Sequence, residues 1–463
     1  MHALLDDTIA AIATPLGEGG LGVIRVSGPR AVPIVRAVFR DRHGRPVERL
    51  PSHRVRFGTI VDPHTGATLD EVLVTYMRAP HSYTREDAVE ISGHGGVRVM
   101  TRILQALVSG GARLAEPGEF TKRAFLHGRL DLAQAEAVID LIHAYTEEGH
   151  RLALAQLEGG LSQAILAMRE GLLEVLAYVE GAMEFPEEEL ELLPWSALLA
   201  KVEGIEGRLT ALLDTFYTGR ILRQGVRVAI VGRPNVGKSS LFNALLAANR
   251  AIVTPIPGTT RDVLEEVVNL RGYPFRLLDT AGMRASDDPI EREGVGRTRR
   301  SLESADFVVL VLDRSEPLTA EDEEAIAAVR GKPVQVVLNK ADLPAALVEH
   351  ELQTRFPGGP IVAVSCKERR GLERLAEMMV GAVLQGRQRP REGPVLTKLR
   401  HWETLRHAHQ SLERARAAMA QRLSGEFIAL DLREALEGLG EIVGLNYSEE
   451  LLDKIFSEFC IGK

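Results

Sequence analysis

Short apolar runs alternate with turn-forming residues over the first 120 positions of the chain. Such runs are typical of strands where Gly and Pro clusters bound them. The pattern predicts strands at Thr8–Thr14, Leu21–Val26, Arg54–Val61, Glu71–Met77 and Ala88–Ile91. Val97–Val108 then shows helical periodicity and stops before a Gly-Gly pair, as many helices do. Residues 1–120 are therefore predicted to form a mixed α/β domain.

A helical pattern begins after Pro117 and continues to about Leu222. Leu, Ala and Glu dominate this stretch, and its apolar residues recur at spacings of three and four, as they do along the buried face of a helix. Pro186 and Pro194 interrupt the pattern. Residues 121–222 are therefore predicted to form several long helices, the first part of a helical domain.

A third pattern starts at Gly225 with the buried-strand run RVAIVG. Strands and helices then alternate, which predicts an α/β domain over residues 223–385, and Gly386–Pro394 has the composition of a linker. Residues 386–463 are helical again. Because an amphipathic helical face has to be covered, the two helical stretches are predicted to pack together around an inserted α/β domain. The predicted fold class is α/β plus α, in three domains.

Composition restricts the class of protein. A chain of 463 residues is too long for a single core. Its net charge of −8 argues against a protein that coats nucleic acid through bulk positive charge. Two cysteines cannot form a disulfide framework and fit a reducing compartment. The first residues do not resemble a secretory signal, and no apolar run is long enough to span a membrane. We therefore expect a cytoplasmic protein.

A phosphate-binding loop is the clearest chemical motif. Gly232 through Ser239 matches GxxxxGK[ST], with an apolar strand before it and a helical pattern after it. The glycines let backbone N–H groups face phosphates at a helix N-terminus. Lys238 then brings a cation to the β- and γ-phosphates, and the Ser239 hydroxyl is a ligand for Mg²⁺. The candidate residues of this loop are Asn235, Val236, Gly237, Lys238, Ser239 and Ser240.

Two further segments complete a predicted phosphate and magnesium site. The apolar run FRLL delivers Asp279 to the phosphate end of the predicted sheet, where a second carboxylate for magnesium is needed. Between the two motifs, Thr260 of GTTRD is placed to reach the γ-phosphate and Mg²⁺. The candidate residues here are Thr260, Asp279, Thr280, Ala281 and Gly282.

The choice of base follows from NKAD, which comes directly after a buried-strand pattern. A carboxylate only accepts hydrogen bonds, so Asp342 suits the ring N–H and amino group of guanine and does not suit adenine. A second segment after the strand run IVAVS is placed to present its backbone to the guanine carbonyl. The sequence thus predicts GTP and GDP binding through Asn339, Lys340, Asp342, Ser365, Cys366 and Lys367.

The whole chain resembles the MnmE (TrmE) family of bacterial tRNA-modification GTPases. The resemblance lies in Asp7–Gly28, Ser82–Gly96 and Glu116–Ile142, and above all in the FCIGK tail, Phe459–Lys463. It implies an N-terminal domain, similar to folate-binding aminomethyltransferase domains, that makes a constitutive homodimer. It also implies a discontinuous helical domain, whose second part carries the Cys-Ile-Gly-Lys tail, and an inserted Ras-like P-loop GTPase domain.

The family's reaction is implied by the same resemblance. With a flavin-containing partner, MnmG, the family installs an aminomethyl or carboxymethylaminomethyl group at carbon 5 of the wobble uridine of certain tRNAs. The one-carbon unit comes from 5-formyltetrahydrofolate or another tetrahydrofolate derivative. The alternative, from a different class, is a GTPase switch in ribosome assembly that does not modify RNA. Folate binding by the N-terminal domain distinguishes the two.

Family folate contacts map onto Arg25, Glu90, Arg129 and Lys463. The family often has Lys where Arg129 stands, so the charge is kept but the hydrogen-bond geometry differs. Glu90 also fits a solvent-facing strand residue, and Arg25 a surface ion pair. For Cys460 a nucleophilic or redox role and a structural role in a packed tail both stay open.

Catalysis is expected to differ from that of Ras. The position where Ras-like GTPases carry a water-orienting Gln is Met283 here. The side-chain carbonyl of Asn235 suits a monovalent cation, and the resemblance implies that it binds K⁺ with groups at Thr254, Ile256 and Thr259. Such a cation would neutralise charge developing between the β- and γ-phosphates. Hydrolysis is then expected to be potassium-stimulated and coupled to G-domain dimerisation.

Glu291 matches the family's catalytic glutamate by its motif position, and it would act through water. The alternative is that Glu291 is one acidic residue among many in a solvated loop. With Lys238 at the phosphates and Cys460 in the tail, these three are the candidate catalytic residues.

Overall fold

The computed structural model describes residues 6–184, 194–249, 265–278, 302–347, 349–356, 359–387 and 393–463. Seven strands near the N-terminus form one twisted sheet in the order β3-β4-β5-β6-β2-β1-β7. Every neighbouring pair is antiparallel except β1 and β7. The strands are β1 (Ile9–Ile12), β2 (Gly22–Ser27), β3 (Phe39–Asp41), β4 (Val55–Val61), β5 (Thr68–Met77), β6 (Ala88–Gly93) and β7 (Arg113–Leu114).

Two helices, α1 (Ala31–Val38) and α2 (Val97–Ser109), pack on this sheet and share its apolar core. The five strands and the one helix predicted from the sequence pattern are confirmed, with small shifts at their ends. Helix α1 was not predicted, because Pro33 lies inside it. Pro33 is the third residue of the helix, where its missing N–H costs no intrahelical bond.

A run of helices follows the sheet. α4 begins with a capping box, in which Asp131 accepts from the backbone of Gln134 and the Gln134 side chain accepts from the backbone of Asp131. The helices are α3 (Glu119–Leu126), α4 (Leu132–Ile142), α5 (Glu147–Leu157), α6 (Gly160–Glu184), α7 (Trp195–Asp214) and α8 (Phe216–Gln224). The prediction of several helices in this stretch is confirmed.

A second sheet begins directly after α8, with six strands in the order β13-β12-β11-β8-β10-β9. Only β9 runs antiparallel to its neighbour. The strands are β8 (Val226–Val231), β9 (Glu265–Leu270), β10 (Tyr273–Leu278), β11 (Phe307–Asp313), β12 (Val334–Asn339) and β13 (Ile361–Ala363). The helices among them are α9 (Lys238–Asn249), α10 (Ala320–Ala328), α11 (Glu349–Arg355) and α12 (Leu372–Leu384). Two separate apolar cores flank the sheet, as expected for a parallel sheet covered on both faces.

Three helices complete the chain: α13 (Leu399–Ala420), α14 (Gly425–Val443) and α15 (Glu449–Ser457). One apolar core joins α13 and α14 to α6 and α7, which lie on the other side of the inserted domain in sequence. The predicted packing of the two helical stretches against each other is therefore confirmed. In the parts of the chain described, no helix combines the length and apolarity that crossing a bilayer requires.

The chain enters and leaves the six-stranded domain at neighbouring points. A Cβ atom on Gly219 of α8 would lie 2.1 Å from the carbonyl oxygen of Leu396, so only glycine permits this approach. The backbone N–H of Leu396 also donates to Oγ1 of Thr215, at 3.0 Å. The two connections thus form one junction between the inserted domain and the helices.

A buried ion cluster lies close to that junction. Glu136 on α4 accepts from Nε2 of His401 at 2.6 Å and from Nη2 of Arg400 at 3.0 Å. Burial alone would raise the pKa of Glu136, but His401, Lys398 and Arg400 hold it well below its usual range. Burial lowers the pKa of His401. The cluster ties α4 to the start of α13 by charge as well as by packing.

Candidate functional site

The loop between β8 and α9 has the backbone geometry of an anion cradle. Gly232, Asn235 and Gly237 adopt φ values of 153°, 63° and 98°. A Cβ atom on Gly237 would lie 2.1 Å from Nδ2 of Asn339, so this position requires glycine for space as well as for conformation. Val236 is fully buried, whereas Asn235 is exposed. The loop is therefore anchored by one apolar side chain and turns its polar residues outward.

Lys238 is the first residue of α9 and lies over the loop. Its Nζ donates to the carbonyl oxygens of Gly232 at 2.8 Å and Arg233 at 2.7 Å. Burial lowers the pKa of Lys238. Ser239 and Ser240 follow in the exposed first turn of the helix. A cation, two hydroxyls and a helix N-terminus thus lie together, which is the chemistry that a bound polyphosphate needs.

Asn339, the last residue of β12, connects the phosphate loop to the segments that are predicted to read the base. Its Nδ2 donates to the carbonyl of Val236 at 2.9 Å, and its Oδ1 accepts from the backbone N–H of Cys366 at 3.3 Å. The residue is 3% exposed, so both bonds are protected from water. Asn339 therefore holds three segments, far apart in sequence, in one arrangement.

Asp342 is positioned by Ser365, whose Oγ donates to Oδ1 of Asp342 at 2.7 Å. This hydrogen bond lowers the pKa of Asp342, which keeps the carboxylate ionised and able only to accept. The backbone N–H of Ala341 donates to the carbonyl of Val364 at 3.0 Å, which joins the two loops. Lys367, beside these loops, is exposed. Burial raises the pKa of the half-buried Cys366 thiol to about 11.

The structure thus brings together the predicted loop residues 235–240 and the predicted base-reading residues 339–342 and 365–367 at one end of the parallel sheet. Parallel strands end on the same edge, where ligands of such sheets bind. The other candidates for this site lie outside the described residues: Thr254, Ile256, Thr259, Thr260, Asp279, Thr280, Ala281, Gly282 and Glu291.

The second group of candidates forms on the N-terminal sheet. Arg25 on β2 and Glu90 on β6 are direct cross-strand partners. Nη2 of Arg25 lies 2.9 Å from Oε1 of Glu90, and Nε lies 3.0 Å from the same oxygen. The Arg25 and Glu90 side chains are 17% and 32% exposed. Arg25 therefore does form an ion pair, as the alternative interpretation held, but with the other candidate and in a largely buried place.

The tail of the chain reaches this group. Phe459 packs in an apolar cluster with Phe125 and Phe456, which fixes the tail against α3. Nη1 of Arg25 donates to the carbonyl of Gly462 at 3.3 Å. Burial, and then the charge of Arg25, lower the pKa of Lys463. Arg25 and Lys463 are thus near enough for their charges to interact, and Glu90 offsets part of this positive charge.

Two family models and several known proteins match nearly the whole chain. The family model described as the MnmE helical domain matches residues 132–460, and the one described as the GTP-binding protein TrmE N-terminus matches residues 8–129. The "tRNA modification GTPase MnmE" of Geobacillus thermodenitrificans is 47% identical over 458 residues, with 99% of each chain covered. That of Heliobacterium modesticaldum is 48% identical over 466 residues, with 99% of this chain and 100% of the relative covered. The chain belongs to the MnmE family of tRNA modification GTPases.

Among solved structures, the G domain of the T. maritima FeoB iron transporter is 30% identical to this MnmE-family chain. The match covers 34% of this chain and 98% of that one, with a TM-score of 0.26.

Two ion pairs near the nucleotide site of this MnmE-family chain were not predicted from the sequence. Asp313 ends β11 beside Asn339 and lies 2.5 Å from Nζ of Lys340. A carboxylate that closes a seven-residue buried strand was the available signal. Arg233, in the phosphate loop, pairs with Asp322 at 3.1 Å. Both pairs fix the loops that carry the candidate residues.

Tyr83 was also missed. The guanidinium carbon of Arg129 lies 4.7 Å from the centroid of its ring, and that of Arg25 lies 5.5 Å from it. Its hydroxyl is 2.9 Å from Oγ1 of Thr121 on α3. The ring therefore brings Arg129 into the group that contains Arg25 and Glu90, and no spacing in the sequence indicates this.

A buried arginine fixes the backbone near the N-terminal group of this MnmE-family chain, which consists of Arg25, Glu90, Arg129 and Lys463. Arg123 on α3 is 1% exposed and lies 3.0 Å from carboxylate oxygens of both Glu86 and Glu119. Its Nη1 also donates to the carbonyl of Asp7 at 3.1 Å. Through Glu86 and Asp7, this one buried side chain joins the segment before β6 to the segment before β1.

Proposed function

We propose that this chain is a GTP-hydrolysing tRNA modification protein that acts with a flavoprotein partner, MnmG. Together they add an aminomethyl or carboxymethylaminomethyl group to carbon 5 of the wobble uridine of certain tRNAs, with a one-carbon unit from a tetrahydrofolate derivative. The main observation behind the proposal is that the chain contains two sites whose residues are held together by hydrogen bonds. One joins the phosphate loop to the base-reading segments through Asn339, and the other joins Arg25 and Glu90 to the tail.

In the nucleotide site, the loop N–H groups and Lys238 face the phosphates, and Ser239 and Thr260 are the proposed magnesium ligands. Magnesium there would neutralise charge on the β- and γ-phosphates. The geometry that supports this is the outward-facing loop, with Lys238 and the hydroxyls at the start of α9. Asp279, Thr280, Ala281 and Gly282 remain proposed phosphate-side residues. Calorimetry with GTP and ATP tests base choice, and equal affinities would contradict it.

Hydrolysis is proposed to use K⁺ and G-domain dimerisation. Asn235 supports this proposal because its left-handed backbone and exposed side chain leave its amide carbonyl available at the phosphate loop. Thr254, Ile256 and Thr259 are the other proposed ligands, and Glu291 is the residue proposed to position water. Hydrolysis rates in KCl and NaCl at equal ionic strength test the potassium step. Equal rates would contradict it.

The N-terminal group is proposed to bind a reduced folate through Arg25, Glu90, Arg129 and Lys463. A carboxylate suits the N–H groups of a pterin, and cations suit the glutamate carboxylates of the tail. The proximity of Arg25 and Lys463, whose pKa the Arg25 charge helps to lower, is an arrangement that an anion would stabilise. Equilibrium dialysis with 5-formyltetrahydrofolate tests the proposal, and no binding by the intact protein would contradict it.

Cys460 is proposed to act in the one-carbon chemistry. Its side chain is exposed, while the backbone on both sides of it is fixed by the buried Phe459 and by Gly462 against Arg25. An exposed thiol on a fixed tail beside the folate group supports a chemical role. The structural alternative rests on the same packing. A Cys460→Ser protein that binds folate normally but no longer modifies tRNA would favour the chemical role.

A homodimer through the N-terminal domain is supported by exposed apolar residues on its sheet. Val55, Phe57 and Leu73 are 59%, 53% and 44% exposed. Phe57 pairs with Leu73 across β4 and β5, and Val55 lies two residues from Phe57, so all three share one face. Light scattering should show a dimer for the parent chain and a monomer for Phe57→Lys. The matched control is Phe427→Lys, whose target is also exposed but lies on α14. A dimer that survives Phe57→Lys would contradict this use of the patch.

The flavoprotein partner is expected to supply much of the affinity for tRNA. A net charge of −8 gives this chain little attraction for phosphates, since strong contact with RNA needs clustered cations. Reconstitution of the modification in vitro, with each component omitted in turn, tests the whole proposal. Modification that proceeds without this chain or without GTP would contradict it.

A further inference from the structure

We propose that the cavity beside Tyr83 binds the γ-linked oligoglutamate chain of a folate, so that the protein prefers polyglutamylated folates to monoglutamates. The inference rests on the proposed folate site and extends it to a second subsite. The cavity has a volume of about 470 Å³, and His81, Tyr83, Arg85 and Arg129 are among its lining residues.

The cavity adjoins the folate candidates directly. Arg129 lines it and lies 4.7 Å from the Tyr83 ring centroid, while Arg25 of the inner group lies 5.5 Å from the same centroid. One aromatic ring is therefore shared by the inner group and the cavity. A ligand with its pterin at Glu90 would extend its glutamate end past Tyr83 into this cavity.

The cavity is basic because the acidic residues next to it in sequence point elsewhere. Glu86 accepts from Oγ of Ser27 at 2.7 Å and from Nη1 of Arg123 at 3.0 Å. Asp87 accepts from the hydroxyl of Tyr76 at 2.9 Å and from the backbone N–H of Ala79 at 3.0 Å. Among the described residues that line the cavity, none carries a carboxylate. Two arginines and a histidine thus face solvent with no acid among them.

Arg85 is the residue that makes this a second subsite. Its side chain is exposed, and Nη1 donates to the carbonyl of His127 at 2.9 Å, which fixes the guanidinium beside the cavity. That bond uses one of five N–H donors, and the planar fork suits carboxylates. Each glutamate added through a γ-amide link adds one α-carboxylate. A monoglutamate has only its own α- and γ-carboxylates for the inner cations, whereas a longer chain adds carboxylates that can reach Arg85.

Calorimetry of the full chain with 5-formyltetrahydrofolate and with its triglutamate tests the inference. Exposed charge pairs predict that the two added carboxylates tighten the Kd by roughly 2- to 30-fold in total. Because the pairs are exposed, the ratio of the two Kd values should shrink towards one as salt is raised from about 50 to 500 mM. A ratio of one at low salt would overturn the inference.

Arg85→Gln removes the charge and keeps a polar side chain with N–H donors. It should lower the ratio of monoglutamate to triglutamate Kd by roughly 1.5- to 5-fold. The matched control is Arg42→Gln, an exposed arginine in the turn after β3, three strands away from β6. A ratio that is the same in both variants would overturn the inference. If neither folate binds, the proposed folate function itself fails, and the inference fails with it.

Discussion

Replacing Asn339 with alanine removes the side chain that joins the phosphate loop to the segments predicted to read the base. The change leaves the Val236 carbonyl and the Cys366 N–H without their partner in a place where the original side chain was 3% exposed. Each buried polar group left unpaired costs about 1–3 kcal/mol. In the free variant the loop can shift so that water reaches these groups, whereas nucleotide binding requires the original arrangement. We therefore expect a loss of about 2–3 kcal/mol in nucleotide binding, or roughly 30- to 160-fold in Kd.

The assay is calorimetric binding of GDP to the full chain, with circular dichroism to show that the variant is folded. The control is Asn269→Ala at the end of β9, since Asn269 also accepts one backbone hydrogen bond, from Gly272 at 2.7 Å, but lies on the edge strand of the sheet. Asn339→Asp should lie between parent and alanine, because a carboxylate can accept from Cys366 but cannot donate to Val236. GDP affinity within twofold of the parent in a folded Asn339→Ala protein would refute this role.

Three further results are expected. Glu136→Ala should lower the free energy of unfolding by about 3 kcal/mol in urea titrations, because it removes the buried acceptor of His401 and Arg400 and leaves Lys398 and Arg400 only their longer contacts to Asp140 and Glu441. The exposed Glu170→Ala on α6 should change it little. Lowering the pH from about 7 to 4 should destabilise the protein, because folding lowers the pKa values of both His401 and Glu136. The unfolded chain therefore takes up protons at a higher pH than the folded chain, from about pH 6.5 at His401 and about pH 4.3 at Glu136. His401→Gln should flatten the upper part of the plot of melting temperature against pH, and an unchanged plot would count against this assignment. Asp342→Asn should weaken GDP binding roughly 10- to 150-fold and favour xanthine nucleotide, and unaltered base preference by calorimetry would contradict the assignment.

The sequence predicts those parts of the molecule that depend on local backbone requirements. The phosphate loop could be predicted because Gly237 must be a glycine, and the strands because apolar residues recur with the period of a half-buried or buried sheet. The position of Asp342 at a strand end follows for the same reason. By contrast, helix α1 was not predicted, because it contains Pro33. A helix tolerates proline only in its first turn, and the sequence alone does not show where the first turn lies.

Residues whose role depends on contacts distant in sequence could not be predicted in this way. Tyr83 becomes part of a site only because the sheet and α3 bring Arg25 and Arg129 to its ring. The hydrogen bonds of Asn339 to Val236 and Cys366 are likewise visible only in three dimensions. The family resemblance drew attention to the tail, but only the structure gives the contacts through which it is held, the packing of Phe459 and the bond from Arg25 to the Gly462 carbonyl.

The central claim is that GTP turnover by this chain is required for modification of the wobble uridine. The most direct measurement is nucleoside mass spectrometry of tRNA from cells that lack the protein, complemented with the parent chain or with Glu291→Ala. We predict that aminomethyl-type uridines disappear in the deletion, return with the parent chain and stay absent with Glu291→Ala. Normal levels of these nucleosides in the deletion strain, or their return with Glu291→Ala, would contradict the account.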